Sequence, residues 1–250
     1  MQRYFVSGND MGETNVTITG DDANHIAKVM RMENGDHIIC SDSQGRTVLC
    51  EITAVDRDSV HASVIEEIQE QKESPIQVTI AQGIPKGDKL ETIVQKGTEL
   101  GAKGFLPFSS SRCIVKWDEK KGQKKILRLA KIAKEAAEQS HRSVIPDVFS
   151  PVSFTTLLKQ ATDFDYKIVA YEEEAKEGET KRLAEVLYSM SPGSTLLCAI
   201  GPEGGFSGQE VSELKEAGFV SCGLGPRILR TETASSYLLS AVSYHFELMR

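Results

Sequence analysis

The chain has 250 residues, room for one large domain or two modest ones. It is 40% hydrophobic with a net charge of −7, the composition of a soluble globular protein, and no apolar run approaches the ~18 residues of a membrane helix. Met1-Gln2-Arg3-Tyr4-Phe5 lacks the apolar stretch of a signal peptide. Five scattered cysteines read as buried thiols of a reducing compartment, so a cytoplasmic location is expected. Neither C-x-x-C nor H-x-x-x-H occurs, so no metal site is expected.

Residues 1–70 read as mostly β. Valine-, isoleucine- and threonine-rich runs at 37–41, 47–55 and 59–65 are separated by the turns Gly35-Asp36 and Ser43-Gln44-Gly45. One helix is expected over 23–32, capped by Asp21-Asp22, with Ile26, Val29 and Met30 on its core face. The pattern is that of a small β-barrel. Residues 69–75 read as a linker, placing a domain boundary near residue 70.

From Ile76 onward strands alternate with helices, which predicts a mostly parallel sheet covered by helices. Strands are expected at 76–81, 104–107, 166–171, 195–200 and 219–224. Helices are expected at 88–100, ended by Gly101, and at 124–140, with Ile126, Leu129, Ala130, Ala133, Ala136 and Ala137 inward. An acidic loop spans 172–179 and a helix 181–189. Ser207-Gly208-Gln209-Glu210 fits a capping box. A last helix over 232–249 carries Tyr237, Leu238, Ala241, Val242, Phe246 and Met249 on one stripe.

Charge is unevenly spread. Between Arg112 and Lys134 nine basic residues face two acidic ones, a local +7 that leaves −14 for the rest of the chain. Such a stretch, which includes Lys116, Lys124, Lys125 and Arg128, is either a solvated helix face or a footprint for nucleic acid.

Two strand-to-helix loops concentrate glycine and polar residues: Ile200-Gly201-Pro202-Glu203-Gly204-Gly205-Phe206-Ser207, and residues 224–234, Leu-Gly-Pro-Arg-Ile-Leu-Arg-Thr-Glu-Thr-Ala. Loops at the carboxyl ends of parallel strands are where open α/β sheets bind ligands. Neither loop has the G-x-G-x-x-G or the G-x-x-x-x-G-K-[ST] spacing of a phosphate cradle, and Glu203 would repel a pyrophosphate. A cationic or zwitterionic ligand with a flat, adenine-like group fits better. Gly201, Gly204 and Gly205 would let backbone approach it closely, with a positive φ expected at Gly204.

These loops closely resemble those of the SPOUT class of S-adenosylmethionine-dependent RNA methyltransferases, and more narrowly the RsmE family of 16S rRNA uracil-N3 methyltransferases. The resemblance extends over nearly the whole chain. It takes in Arg3-Tyr4-Phe5, His25, Lys28-Val29-Met30-Arg31, Gly35-Asp36, Gln82-Gly83-Ile84-Pro85-Lys86-Gly87-Asp88-Lys89, Gln95-Lys96-Gly97-Thr98-Glu99-Leu100-Gly101, Ser111-Arg112 and Glu135-Ala136-Ala137-Glu138-Gln139-Ser140-His141-Arg142. Met30 stands where leucine is more usual, read as a core swap.

The resemblance implies a PUA-like β-barrel over 1–70 and a SPOUT domain with a trefoil knot over 71–250. It further implies a homodimer with its active site at the subunit interface, S-adenosyl-L-methionine as cofactor, and 16S rRNA of the small ribosomal subunit as substrate. Backbone of Leu224, Ile228 and Leu229 would hold adenine. Ile200, Pro202, Glu203, Gly225 and Thr231 would complete the two loops, and Tyr171 and Glu172 would join from the first knot loop at 171–175. Arg230 is the expected catalytic cation, stabilising a uracil imide anion, unless it merely pairs with Glu203 or Glu232. Glu203 is better placed to hold loop shape than to act as base. RNA contacts are expected from Lys86, Lys89, Arg112 and Arg142, from Arg3, His25, Lys28 and Arg31 of the barrel, and from the basic helix. The rivals are a ribose 2′-O-methyltransferase and a non-catalytic assembly factor. The second would leave both glycine loops unexplained.

Overall fold

Short β-rich stretches near the N-terminus pair into a five-stranded sheet in the computed structural model, which describes residues 1–69, 72–115, 117–172 and 181–249. The strands are β1 (Arg3–Phe5), β2 (Asn15–Thr19), β3 (His37–Ser41), β4 (Thr47–Val55) and β5 (Ser59–Glu67), in the spatial order β1-β3-β4-β5-β2. β1 runs parallel to β3, and the other pairs are antiparallel. Register slips at Leu49/Cys50 and Ile52/Ala54 mark bulges, which bend the long strands and curl the sheet over its core. Val16, Ile18, Ile38, Val48, Ile52 and Val60 fill that core. β1 and β2 were not foreseen. β1 is three residues long and buried throughout, so it shows no alternation to read.

The expected helix starts earlier and changes pitch. α1 (Gly20–Asn24) is followed by a π-helical turn, His25–Met30, that ends at Arg31 in the left-handed region. Asp21 and Asp22 lie in the first turn instead of capping it, where their charge still suits the helix N-terminus. Widening to the π form rotates later residues off the core face. Ile26 is buried, whereas Val29 is 66% exposed and Met30 39% exposed, so Met30 is not a core residue.

This first compact unit comprises Met1–Glu73 and Lys134–Ile145; the second segment lies beyond the boundary expected near residue 70. The two parts are joined by buried polar contacts. Arg3 donates to Ser41 Oγ at 3.2 Å and to the Arg142 carbonyl at 3.0 Å. Arg142 pairs with Glu73, whose carboxylate also accepts from the Ser143 and Val144 amides. Lys134 pairs with Asp22 and Glu138.

The second unit, Ser74–Ala133 with Pro146–Arg250, is built on a parallel sheet in the order β12-β10-β11-β6-β7-β8. Its strands are β6 (Gln77–Gly83), β7 (Gly104–Ser109), β8 (Asp147–Val148), β10 (Tyr166–Ala170), β11 (Thr195–Ile200) and β12 (Val220–Cys222); β9 (Val152–Ser153) also pairs with β7. Central strands covered on both faces read as continuous apolar runs, and β11 is an example: Leu196 to Ile200 are all buried. The helices are α2 (Lys89–Glu99), α3 (Glu119–Gln139), α4 (Phe154–Gln160), α5 (Arg182–Ser189), α6 (Gly208–Glu216) and α7 (Thr231–Ser243); α3 contributes residues to both units. Gly97 of α2 lies against the Phe105 ring, where a Cβ would stand 2.5 Å from it.

Two expected helix faces need correction. In α3, Leu129, Ala133, Ala136 and Ala137 are buried but Ala130 is exposed. In α7 the inward residues are Ala234, Leu238, Leu239 and Val242. Tyr237 and Met249 are exposed, and the helix widens to a π turn at Tyr244–Leu248. The strand expected at 219–224 shortens to Val220–Cys222, although Phe219 stays in the core.

Candidate active site

Parallel register sets the strand ends side by side. Ala170 of β10 lies between Ile200 of β11 and Cys222 of β12, and Ile200 in turn faces Gln82 of β6. The loops leaving these strands therefore meet at one sheet edge, all within the second unit. Between them lies a cavity of about 520 Å³, lined by Tyr171, Glu172, the 200–206 loop and the 228–231 loop, with Lys89, Arg112 and Ala234. Leu224 and Gly225 line an adjoining recess of about 90 Å³. All thirteen residues expected at the cofactor thus surround these two hollows. The rest of the acidic loop and of the first knot loop, from residue 173, lies outside the described residues, as does Lys116.

Glycine is required by contact at Gly201, where a Cβ would lie 2.9 Å from the Gly205 carbonyl carbon. At Gly205 the need is conformational, since φ is +64°. The positive φ expected at Gly204 is therefore one residue later. Gly204 is instead crowded by Arg112, whose guanidinium donates to the Gly204 carbonyl at 2.8 Å. Downstream, Ser207 and Glu210 form the expected capping box, and Phe206 stacks on Phe108.

Glu210 is 6% exposed and accepts from the amides of Ser111 and Ser207. Burial pushes its pKa up, but these hydrogen bonds outweigh burial and hold it below the ordinary value. The sign for stability follows. A lowered folded pKa adds stability that is present above the unfolded value of about 4.5 and is lost as pH falls through the folded value. Acid titration followed by circular dichroism should show this limb below about pH 4.5. In Glu210→Gln that limb should shrink.

Thr231 joins the two glycine loops. Its hydroxyl donates to the Gly201 carbonyl at 2.7 Å and accepts from Gln82 Nε2 at 2.8 Å. Glu203 is also tied in, accepting from the Lys86 amide and from Lys89 Nζ at 2.8 Å. Burial raises its pKa, but the Lys89 bond, its own amide and the Lys86 amide lower it further than burial raises it. A carboxylate held in that state is a poor proton acceptor. Lys89 Nζ also lies 3.8 Å from Glu232 Oε2, an ion pair without a hydrogen bond, so one lysine faces both carboxylates. The Arg230 side chain, exposed at the cavity wall, makes no hydrogen bond or ion pair among the described residues, while its carbonyl accepts from the Thr233 and Ala234 amides. The structural pairing of Arg230 with Glu203 or Glu232 is absent.

The cations expected on RNA divide sharply. Arg3 and Arg142 are 2% and 4% exposed and committed to the contacts above, so neither presents charge to a ligand. Lys89 is half-buried in its ion pairs. His25 Nδ1 is bonded to the Tyr4 hydroxyl, and Lys28 to Asn24. Lys125 and Arg128 share Glu91. Arg31, Lys86, Arg112 and Lys124 are exposed. A basic hollow of about 490 Å³ is lined by Lys120, Lys121, Lys124, Lys125 and Arg128, with Asp118. Lys120 and Lys121 belong to the basic run whose local charge excess pointed to this face, although they are not among the individually expected RNA contacts.

Residues 72–243 match the family described as RNA methyltransferase domain, and residues 18–65 the RNA methyltransferase PUA domain. A Bacillus subtilis protein named ribosomal RNA small subunit methyltransferase E is 51% identical over all of this chain and 99% of its own length. The chain belongs to the ribosomal RNA small subunit methyltransferase E family. A Neisseria gonorrhoeae member of that name, solved bound to S-adenosyl methionine, superposes with a TM-score of 0.85 at 28% identity, covering 97% of both chains. A Legionella pneumophila putative methyltransferase, solved in complex with the same cofactor, gives 0.83 at 28% identity over 96% of both. The expected fold holds: a SPOUT-type parallel sheet and a PUA-like β unit.

Proposed function

We propose that this family member methylates N3 of one uridine in 16S rRNA of the small ribosomal subunit, with S-adenosyl-L-methionine as methyl donor. The observation that carries the reading is the cavity formed by the two glycine loops, with a free arginine in its wall and no phosphate cradle. Its volume suits a ligand of that size. Gly201 and Gly205 give the first loop its tight backbone path, and the cavity it shares with the second loop suits a ligand with a positive centre and an adenine edge. Ile200 to Gly205, Leu224, Gly225, Ile228, Leu229 and Thr231 would hold it, together with Tyr171 and Glu172. When bound, it supplies an electrophilic methyl group.

The protein's part is alignment and charge. Uracil N3 is a weakly acidic imide and attacks well only as its anion. Arg230 would stabilise that anion, while Glu203, ionised and clamped by Lys89, would maintain the loop. Lys86, Arg112 and Arg31 would contact RNA phosphates, with the basic hollow of α3 and the barrel of residues 1–70. A flipped or single-stranded uridine is required, because N3 is occupied in a base pair. A trefoil knot, a homodimer and a cytoplasmic location complete the proposal. Exposed Tyr188, Tyr244, Leu248 and Met249 provide apolar surface for a dimer.

Calorimetry with S-adenosylmethionine tests the cofactor. One site per chain, unchanged by a chelator, is expected; no binding by the wild-type protein would overturn the reading. For RNA, replacing Lys120, Lys121 and Lys124 by glutamine should weaken small-subunit binding and lower its salt slope by ~0.7–0.9 per lost phosphate contact. An unchanged slope would make that face merely solvated.

A further inference from the structure

The cofactor loops rest on a buried carboxamide that the proposed chemistry does not use. Gln82, at the end of β6, is 0% exposed. Its Nε2 lies 2.9 Å from the Gly83 carbonyl, 3.4 Å from that of Ile200, 3.2 Å from that of Gly201 and 2.8 Å from Thr231 Oγ1. Two protons thus serve four acceptors. The opposite amide orientation would set Oε1 against three carbonyl oxygens, so the surroundings fix the donor end. Oε1 itself is buried without a hydrogen-bond partner. An unsatisfied buried acceptor weakens a fold, and sites where such groups persist are those where another demand prevails. The next residue shows how closely this end of β6 is fitted to the loop. A Cβ at Gly83 would lie 2.5 Å from Pro202 Cδ and 2.7 Å from Pro202 N.

We propose that Gln82, with Gly83 against the Gly201–Pro202 peptide, is the positioning residue that locks the two cofactor loops to each other. It acts through the Gly201 carbonyl and the Thr231 hydroxyl. The Gly201 carbonyl accepts from both Gln82 and Thr231, so it is held toward the sheet. Thr231 is the first residue of α7, so the same contact fixes where the 224–230 loop ends. A loose connection would leave each loop free to move, and cofactor binding would then have to order both. The inference rests on the cofactor reading for its binding readout and on the free protein for its second readout.

The variants are Gln82→Met, which keeps length and removes the donor, Thr231→Val, Thr231→Ser and the double variant Gln82→Met/Thr231→Val. Calorimetry with S-adenosylmethionine should show about tenfold weaker binding for Gln82→Met and for Thr231→Val, in line with loss of a buried hydrogen-bond partner. The double variant should be little worse than either single one, because both act through one carbonyl. Thr231→Ser, which keeps the hydroxyl, should recover most of the affinity that Thr231→Val loses. In the cofactor-free protein, amide exchange of residues 201–205 and 231–234 should quicken together in Gln82→Met, while the interior of β11 stays protected. Wild-type affinity in Gln82→Met, or losses that multiply in the double variant, would overturn the proposal. If Gln82→Met does not fold, amide exchange of residues 201–205 in cofactor-free Thr231→Val and Thr231→Ser decides: quickening in Thr231→Val alone supports the coupling, and equal exchange in both overturns it. Should the wild-type protein not bind S-adenosylmethionine, the cofactor reading falls. The exchange experiment then judges the coupling alone: joint loosening supports it and unchanged exchange overturns it.

Discussion

Arg230→Ala is expected to slow methyl transfer by ~10²-fold or more, the range seen when one donor to a developing oxyanion is removed. Melting temperature and S-adenosylmethionine affinity should change little. The reasoning is local. Lys89 already satisfies Glu203 and approaches Glu232, so removing Arg230 strands no buried carboxylate. Its side chain is exposed at the cavity wall, so little packing is lost. Lysine at this position should rescue only partly, because a point charge lacks the planar fork. Single-turnover kinetics at saturating cofactor, run beside a thermal melt, is the measurement. A near-wild-type rate would remove Arg230 from the chemistry.

Gly201→Ala should weaken S-adenosylmethionine binding by ~10- to 100-fold, from an overpacking cost of ~1–3 kcal/mol. The new methyl would meet backbone, the Gly205 carbonyl carbon at 2.9 Å and Cα at 3.0 Å, so no side chain can swing aside. Gly205→Ala should lose about tenfold through its positive φ, worth ~1–2 kcal/mol for a residue with a Cβ. Gly208→Ala is the control, since it also borders the cavity but its Cβ would meet nothing within 4 Å. Calorimetry ranks the four proteins. Equal affinities for Gly201→Ala and Gly208→Ala would mean that loop geometry does not set binding.

Much of this architecture is legible in the residues because local signals agree with the fold. The apolar runs at 37–41, 47–55 and 195–200 are strands over those same bounds, and Ser207 with Glu210 caps α6 as its spacing requires. The two glycine loops also announce themselves. What sequence concealed depends on pairing or pitch. β8 and β9 are two residues each, with no periodicity to detect. The π turns at His25–Met30 and Tyr244–Leu248 rotate apolar residues that 3.6-residue spacing would bury. Arg3 and Arg142 look like surface cations because their partners, Ser41 and Glu73, lie 38 and 69 residues away. The service of Lys89 to two carboxylates, which frees Arg230, is likewise a long-range arrangement.

The proposed placement of a methyl group on N3 of a uridine in the small ribosomal subunit is open to direct test. Small subunits isolated from a strain lacking the protein would be incubated with it and methyl-labelled S-adenosylmethionine, and nucleosides from the 16S rRNA analysed by mass spectrometry. One N3-methyluridine per subunit is expected, absent without the protein and strongly reduced with Arg230→Ala. Label found on a ribose 2′-oxygen, or no label in 16S rRNA, would contradict it.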